Sequence, residues 1–431
     1  MKKKVIIFGN PYKPMAGIGT KRISKFVKYL PKEGWEPIVF APKVNGSLDY
    51  DNAQKVETNR VPIIGPGVLY DIARKLIPRK KSRNISPSSQ KKETLKNVGA
   101  RRRKFNDWLF IPDEFNLWSV LAGYKAVKRY KQEKENIKVC FATGPYFSTF
   151  LSGYIFSKLT GVPLVLDFRD PWIGNKYISY KTKFHEKINI SLEARCIKQA
   201  SKVITVSPHV MELFKKRYPQ FSGKFTLLYN GYDVSDIEIE SDNQTKVENT
   251  VITYTGTFYG DKNPTSFLKA INELIKEDPQ TKFQVNFVGG LDSTYKNYIE
   301  KNGLAKCVHN VGYVPYEESL KYQSESSILL LIPGPDETTL PGKFYEYLYL
   351  RKPILCVGIK NSAIDELLKY TNSGVMADND NISDVKAKLK GILNNEYNFT
   401  FEHIEEFNFE LITQKVTEVL DQASGIQRVN A

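Results

Sequence analysis

Residues 5–40 read VIIFGNPYKPMAGIGTKRISKFVKYLPKEGWEPIVF and hold one complete repeat of a fold. Val5–Phe8 is short and wholly apolar, as a buried strand is, and Gly9–Gly17 is a turn rich in proline and glycine. Ile23, Phe26, Val27 and Leu30 then fall at i, i+3, i+4 and i+7, the stripe of a helix that packs by one face. Pro31 to Gly34 end it, and Trp35–Phe40 is a second strand. A strand, a helix and a strand in that order make a parallel pair, because only a crossover of this length can return the chain in the same direction. The alternation resumes with strands expected at Lys138–Thr143, Pro163–Phe168, Lys202–Val206 and Phe225–Tyr229, and helices near 146–160, 182–200 and 208–218. The expectation is a parallel sheet covered on both faces.

A second run follows the polar, acidic stretch 233–249, with strands expected at Val251–Thr255, Phe283–Val288, Ser327–Ile332 and Pro353–Val357. The chain, at 431 residues, is too long for one ordinary core. We expect an N-terminal domain over 1–232, a second over 233–404, and a closing helix over 405–431 that crosses back to the first. Two such sheets meeting by their carboxyl edges would enclose a ligand cleft, since open α/β sheets bind ligands beyond those edges.

Composition narrows the class. With 41% apolar and 26% charged residues, the chain reads as globular. Its four cysteines, Cys140, Cys196, Cys307 and Cys356, show no ligand spacing, which fits a reducing compartment and no zinc site. The opening apolar run is too short for a signal peptide, and no run approaches a membrane span, so a cytoplasmic protein is expected. The net charge of +16 asks for an anionic partner. Thirteen Lys or Arg and a single acid, Glu93, fall between Arg74 and Lys104, flanked by apolar residues such as Leu76 and Trp108. That pattern suits the anionic inner face of a membrane. A solvated loop or a nucleic-acid patch are the other readings, though no nucleic-acid-binding motif accompanies the charge.

Five places carry chemistry. Leu340-Pro341-Gly342-Lys343 opens a helical segment in which Glu346 follows Lys343 by three. A helix start offers unpaired N–H groups to an anion, Lys343 adds a full charge, and Glu346 on the same face accepts from hydroxyls. Phosphates on the cation and a ribose on the carboxylate would suit this pair; a solvated Lys–Glu pair is the plainer reading. Gly256-Thr257-Phe258 ends an expected strand, and Lys262 stands before a helix, where it can offset charge on a departing diphosphate without a metal. Gly17-Ile18-Gly19 lies between the first strand and its helix. Arg169-Asp170 tips another strand, Asp170 for an acceptor hydroxyl and Arg169 for a phosphate or for holding Asp170. Asp378-Asn379-Asp380 looks like a metal-binding Asp-x-Asp but sits in an Asn/Asp-rich turn and is read as a turn. No metal site is expected.

In this order, together with Asn230-Gly231-Tyr232-Asp233, these motifs resemble glycosyltransferase family 4, the group 1 type, over nearly the whole chain. The resemblance implies a GT-B fold of two Rossmann-like domains, a nucleotide-sugar donor held mainly by the second domain and an acceptor held by the first. It implies metal-independent transfer with retention. Glu346 would hold the donor ribose and Lys262 the diphosphate. Backbone at Leu340, Pro341 and Gly342 would face the donor, and Gly17 and Gly19 would approach the diphosphate. Asn230 and Gly231 would lie near the hinge. Three positions depart from the family pattern. Thr257 stands where an Arg is common, Thr338 where a second acid is common (Glu337 is one out of register), and Arg169 where a His is common.

The expected function is a membrane-peripheral hexosyltransferase moving a sugar from a nucleoside diphosphate to a hydroxyl of a glycan or lipid-linked oligosaccharide in cell-surface polysaccharide synthesis. An epimerase of the same architecture and a non-catalytic nucleotide- or polyanion-binding protein are the rivals.

Overall fold

The computed structural model describes residues 3–15, 18–47, 51, 56–64, 110–176, 178–237, 250–258, 262–279 and 283–426. The basic segment 74–104, Gly17, and residues 259–261 between Phe258 and Lys262 lie outside these. The chain divides into two compact units. One comprises 1–205, 214–226 and 413–431, the other 206–213 and 227–412.

The first unit is built on β1 (Lys3–Gly9), α1 (Ile18–Tyr29), β2 (Trp35–Pro42), β3 (Glu57–Val61), α2 (Asn116–Tyr130), β4 (Ile137–Gly144), α3 (Ser148–Thr160), β5 (Leu164–Phe168), α4 (Lys183–Gln199) and β6 (Lys202–Thr205). Then come α5 (Pro208–Arg217), whose first turns belong to the second unit, and β7 (Phe225–Leu227). The sheet order is β3-β2-β1-β4-β5-β6-β7, parallel from β3 through β6, with Ile6 opposite Ile38 and Cys140. Val5, Ile6, Ile7 and Phe8 are fully buried, each contributing about 1.5–3 kcal/mol. Pro163 is left out of β5 because it has no N–H, but its carbonyl still accepts from Cys140. Thr182 caps α4, its side chain accepting from the His185 N–H.

The second unit carries β8 (Thr250–Thr255), α6 (Thr265–Glu277), β9 (Phe283–Val288), α7 (Ser293–Lys301), β10 (Val308–Gly312), α8 (Tyr316–Ser324), β11 (Ile328–Leu331), α9 (Gly342–Leu350), β12 (Ile354–Gly358), α10 (Ala363–Thr371), β13 (Gly374–Asp378) and α11 (Ile382–Leu393). Its order is β10-β9-β8-β11-β12-β13, again parallel. A last helix, α12 (Phe409–Ser424), joins the first unit from Thr413 onward. There Asp421 accepts from Lys3 Nζ at 2.9 Å and Trp35 Nε1 at 3.2 Å.

β3 and β10 are absent from the sequence expectation, and both lie at sheet edges. Their residues, ETNRV and VHNVG, face solvent in part, so neither shows the apolar run of a central strand. In each sheet the order reverses once, between β1 and β4 and between β8 and β11. Parallel sheets bind ligands at the carboxyl side of such reversals.

Candidate functional site

In the second unit the reversal point is occupied by the tip of β8 and the start of α9. Lys343 folds back so that its Nζ donates to the Thr255 carbonyl and lies 3.9 Å from the centre of the Tyr254 ring. Tyr254 is itself held flat against Phe258, ring centres 4.2 Å apart. Gly256 takes φ +127°, and a Cβ there would stand 2.8 Å from the ammonium. Gly289, at φ +131°, brings its Cα against the Gly256 carbonyl, with no room for a side chain. The tips of β8 and β9 therefore touch backbone to backbone, and they are tied by Gly256 N–H to Val288 O and Phe258 N–H to Gly290 O.

Burial, with the nearby charge of Lys262 second, pushes the Lys343 amine down to about 7; Glu346 opposes the shift. Lys262 and Glu346 thus both stand within electrostatic reach of Lys343. Glu346 accepts from the Tyr316 hydroxyl at 2.9 Å, and burial followed by that carboxylate raises the Tyr316 hydroxyl pKa. Pro341 leads into α9, no side chain caps the helix start, and its first turn holds no acid. Leu340 is buried, Pro341 and Gly342 half-buried. An anion-attracting corner results: a bare helix start, two lysines and a hydroxyl-binding carboxylate around a glycine turn.

Thr257 donates to the Tyr313 hydroxyl at 3.2 Å, and Tyr313 stands 79% exposed beside Gly290. Tyr254, Gly289, Gly290, Tyr313 and Tyr316 were not singled out by sequence reasoning. The Gly-Gly pair directly after an apolar strand was the available signal for two of them. Asn230 and Gly231 belong to this unit: the Gly231 Cα lies against the Phe407 carbonyl, and Tyr232 exchanges backbone bonds with Phe407 and Phe409 at 2.9 Å. The Asp378-Asn379-Asp380 stretch forms a turn in which Asp378 accepts from the Asp380 N–H at 3.0 Å. Among the described residues no group of three or more His, Cys, Asp or Glu is placed to hold a metal.

The first unit treats its reversal point differently. Asp167, fully buried, accepts from Arg22 Nε (3.0 Å) and Nη2 (2.9 Å) and from the Thr143 hydroxyl (2.7 Å). Arg169 donates to the carbonyls of Gly19, Gly144 and Pro145, and burial holds its pKa down to about 10. Its donors are thereby engaged by backbone, clamping the start of α1 to the end of β4. Gly19 fits between Pro11 and this guanidinium. Ile18 is the first residue of α1. Asp170 is half-buried at the tip of β5, on a loop fixed by neighbours. Trp172 stacks on Phe147 at 5.1 Å and donates to Asn189 at 2.9 Å, and Glu193 accepts from the Ile173 N–H at 2.9 Å.

Residues 68–236 match the model described as Glycosyltransferase Family 4, and residues 249–395 match that of Glycosyl transferases group 1. The chain belongs to the family 4, group 1 glycosyltransferases. Among curated relatives it is similar to the capsular polysaccharide biosynthesis glycosyltransferase CapH of Staphylococcus aureus, 23% identical over 329 residues, 72% of this chain and 86% of CapH. Among solved structures it is similar to a glycosyltransferase from Rickettsia africae (12% identical, TM-score 0.65, covering 98% of each chain). It is also similar to HepE of Anabaena, solved with UDP (12% identical, TM-score 0.64, covering 97% of this chain and 100% of HepE). At those identities the structural likeness establishes the fold, two Rossmann-like units of the GT-B class. Family membership makes this glycosyltransferase an enzyme and favours transfer over both rival readings.

Proposed function

We propose that this glycosyltransferase moves a sugar from a nucleoside diphosphate donor to a hydroxyl of a glycan or lipid-linked oligosaccharide, in the synthesis of a cell-surface polysaccharide. The observation that carries the reading is Lys343, seated on the Tyr254 face beneath Gly256 with Lys262 and Glu346 in reach. That CapH is named for capsular polysaccharide, and that HepE was solved with UDP and with UDP-glucose, supports the donor class and the product class.

In this mechanism Glu346 accepts from the ribose hydroxyls in place of Tyr316, while Lys262, Lys343 and the α9 start take the diphosphate. The glycine tips, with Thr257 and Phe258, let the donor approach the backbone. Leu340, Pro341 and Gly342 line its sugar side. As the bond from the sugar C1 to the diphosphate oxygen breaks, the two amines offset the charge that gathers on the phosphate, so no metal is required. The acceptor oxygen bonds to C1 on the same face and its proton passes to the departing phosphate oxygen, which gives retention. Asp170 stands as the base should the reaction invert. Arg169 acts by holding the loop that carries Asp170. Asn230 and Gly231 serve as hinge, and the basic segment 74–104 holds the enzyme at an anionic inner membrane face.

The test is a panel of UDP-, GDP- and dTDP-sugars screened by thermal shift, since a true donor raises the melting temperature by mass action. The best donor is then supplied with labelled sugar and candidate acceptors. No shift with any of them removes the donor reading. An epimer formed from UDP-N-acetylglucosamine alone replaces transfer by epimerisation.

A further inference from the structure

Asp170 sits on the stretch that follows β5, and the backbone there is held on both sides of it. Upstream, Arg169 donates to the carbonyls of Gly19, Gly144 and Pro145. Downstream, both peptide groups of a single residue, Ile173, are gripped from α4 and from the end of α5. Its N–H donates to Glu193 Oε2 at 2.9 Å, and its carbonyl accepts from Arg217 Nη2 at 3.1 Å. The two side chains close a ring behind it, Arg217 Nη1 donating to Glu193 Oε1 at 2.9 Å. The Tyr218 hydroxyl donates to the same oxygen at 2.7 Å. Gly174 follows at φ +86°, where a Cβ would stand 3.4 Å from Arg217 Nη2. Between the two anchors Pro171 and Trp172 are buried, and the Trp172 carbonyl accepts from the Tyr180 hydroxyl at 3.2 Å. All of these residues belong to the first unit.

Burial pushes the Glu193 carboxyl pKa up, with the Arg217 charge opposing it. A buried ion pair of this kind adds little stability over apolar side chains of the same size. What it adds is direction. The planar guanidinium fixes a carbonyl and a carboxylate at once, and the carboxylate fixes an N–H. Ile173 lies in a turn, outside any helix or strand, so this pair sets the course of the backbone there. We infer that Glu193 and Arg217 are positioning residues for the acceptor: they fix the Ile173 peptide and, through it, the Asp170 carboxylate that meets the acceptor hydroxyl. The inference rests on the role proposed above for Asp170. It matters because a displacement of about 1 Å at a reacting group costs roughly a hundredfold in rate.

The test compares changes around this grip by kcat/KM for the acceptor found with the donor panel. Arg217→Lys keeps a charge beside Glu193 but loses the fork, and lowers kcat/KM at least about tenfold. Gly174→Ala crowds Arg217 from the loop side and lowers it alike, and it carries the test should Arg217→Lys fold poorly. Tyr218→Phe takes one bond from the same buried carboxylate and leaves both Ile173 bonds in place. It lowers the melting temperature but keeps kcat/KM within about threefold. In an Asp170→Asn background the loss from Arg217→Lys shrinks below about threefold, whereas general loosening of the fold would be additive. With no ligand present, amide exchange at Ile173 speeds at least about tenfold in Arg217→Lys and not in Tyr218→Phe. Wild-type rates in Arg217→Lys and Gly174→Ala, an equal loss in Tyr218→Phe, or the same loss from Arg217→Lys in both backgrounds overturns the inference. Full rate in Asp170→Asn, or no transfer to any acceptor, removes the acceptor role of Asp170 itself, and the inference falls with it.

Discussion

Lys343 gives the most discriminating prediction, because its charge state in the empty enzyme differs from the one a diphosphate requires. Burial brings its pKa from the ordinary 10.5 down to about 7. At pH 8 about nine-tenths of the empty sites then hold a neutral amine. A diphosphate laid beside it restores the charged form, so binding UDP takes up about 0.9 proton at pH 8, about 0.5 at pH 7 and about 0.1 at pH 6. Correspondingly, affinity falls with rising pH above 7, towards tenfold per unit. The empty protein shows the opposite sign. Between pH 7 and about 10.5 the unfolded chain holds the proton that the folded chain has lost, so stability rises with pH through that window. At pH 7 the buried amine costs about 4 kcal/mol, from a shift of about 3.5 pKa units at 1.36 kcal/mol each less the half-protonation at that pH. Lys343→Met keeps the stem against Tyr254, removes this cost, and raises the melting temperature of the empty enzyme. It also abolishes the proton uptake and weakens UDP about 10- to 100-fold through the lost charged hydrogen bond. The assay is titration calorimetry at pH 8 in two buffers of different ionisation enthalpy. Binding with no proton uptake in the wild type, or with undiminished uptake in Lys343→Met, refutes the reasoning.

Four further outcomes are expected. Glu346→Ala weakens UDP at least tenfold by calorimetry and removes the acceptor of the Tyr316 hydroxyl bond. Lys262→Ala depresses kcat more than it raises the donor KM, since its charge counts most when the phosphate departs; equal effects on both would assign it to ground-state binding. Gly289→Val prevents the close approach to the Gly256 carbonyl and takes a side chain where φ is +131°, so it lowers stability by several kcal/mol in denaturant titration. Arg22→Met leaves the Asp167 carboxylate buried with only the Thr143 hydroxyl among the bonds described here, and costs about 3–5 kcal/mol.

The architecture was legible where burial is two-sided. Val5–Phe8, Leu164–Leu166 and Ile328–Ile332 are continuous apolar runs because central strands of a parallel sheet face a helix on each side. β3 and β10 were not legible, since an edge strand such as ETNRV needs only half of that apolar surface. Within the site, Lys343, Glu346 and Gly256 could be read from chain order. Tyr254 could not: inside an apolar strand its ring reads as core, and only the fold brings Lys343 over it. Tyr313 was hidden because an exposed aromatic carries no periodic signature. The role of Arg169 was hidden too, because its partners are backbone carbonyls, which have no letter in a sequence.

The two units share a topology yet settle their reversal points in opposite ways, and the difference bears on the proposed diphosphate site. In the first, Arg22 is neutralised by Asp167 and Arg169 is spread over three carbonyls, so the guanidinium donors are committed before any ligand arrives. In the second, Lys343 rests on an aromatic face and one carbonyl, with a second lysine in reach and an uncapped helix start beside it. An anion gains more where the charge is under-compensated, since it need not displace an existing partner. That difference supports the proposal that the donor phosphates sit on the second unit and the acceptor hydroxyl near Asp170 on the first. Arg169→Lys should raise the acceptor KM, because it loosens the clamp between Gly19 and Gly144, and should weaken UDP less than Lys343→Met does. A loss of UDP affinity in Arg169→Lys comparable to that in Lys343→Met would place the phosphates on the first unit instead.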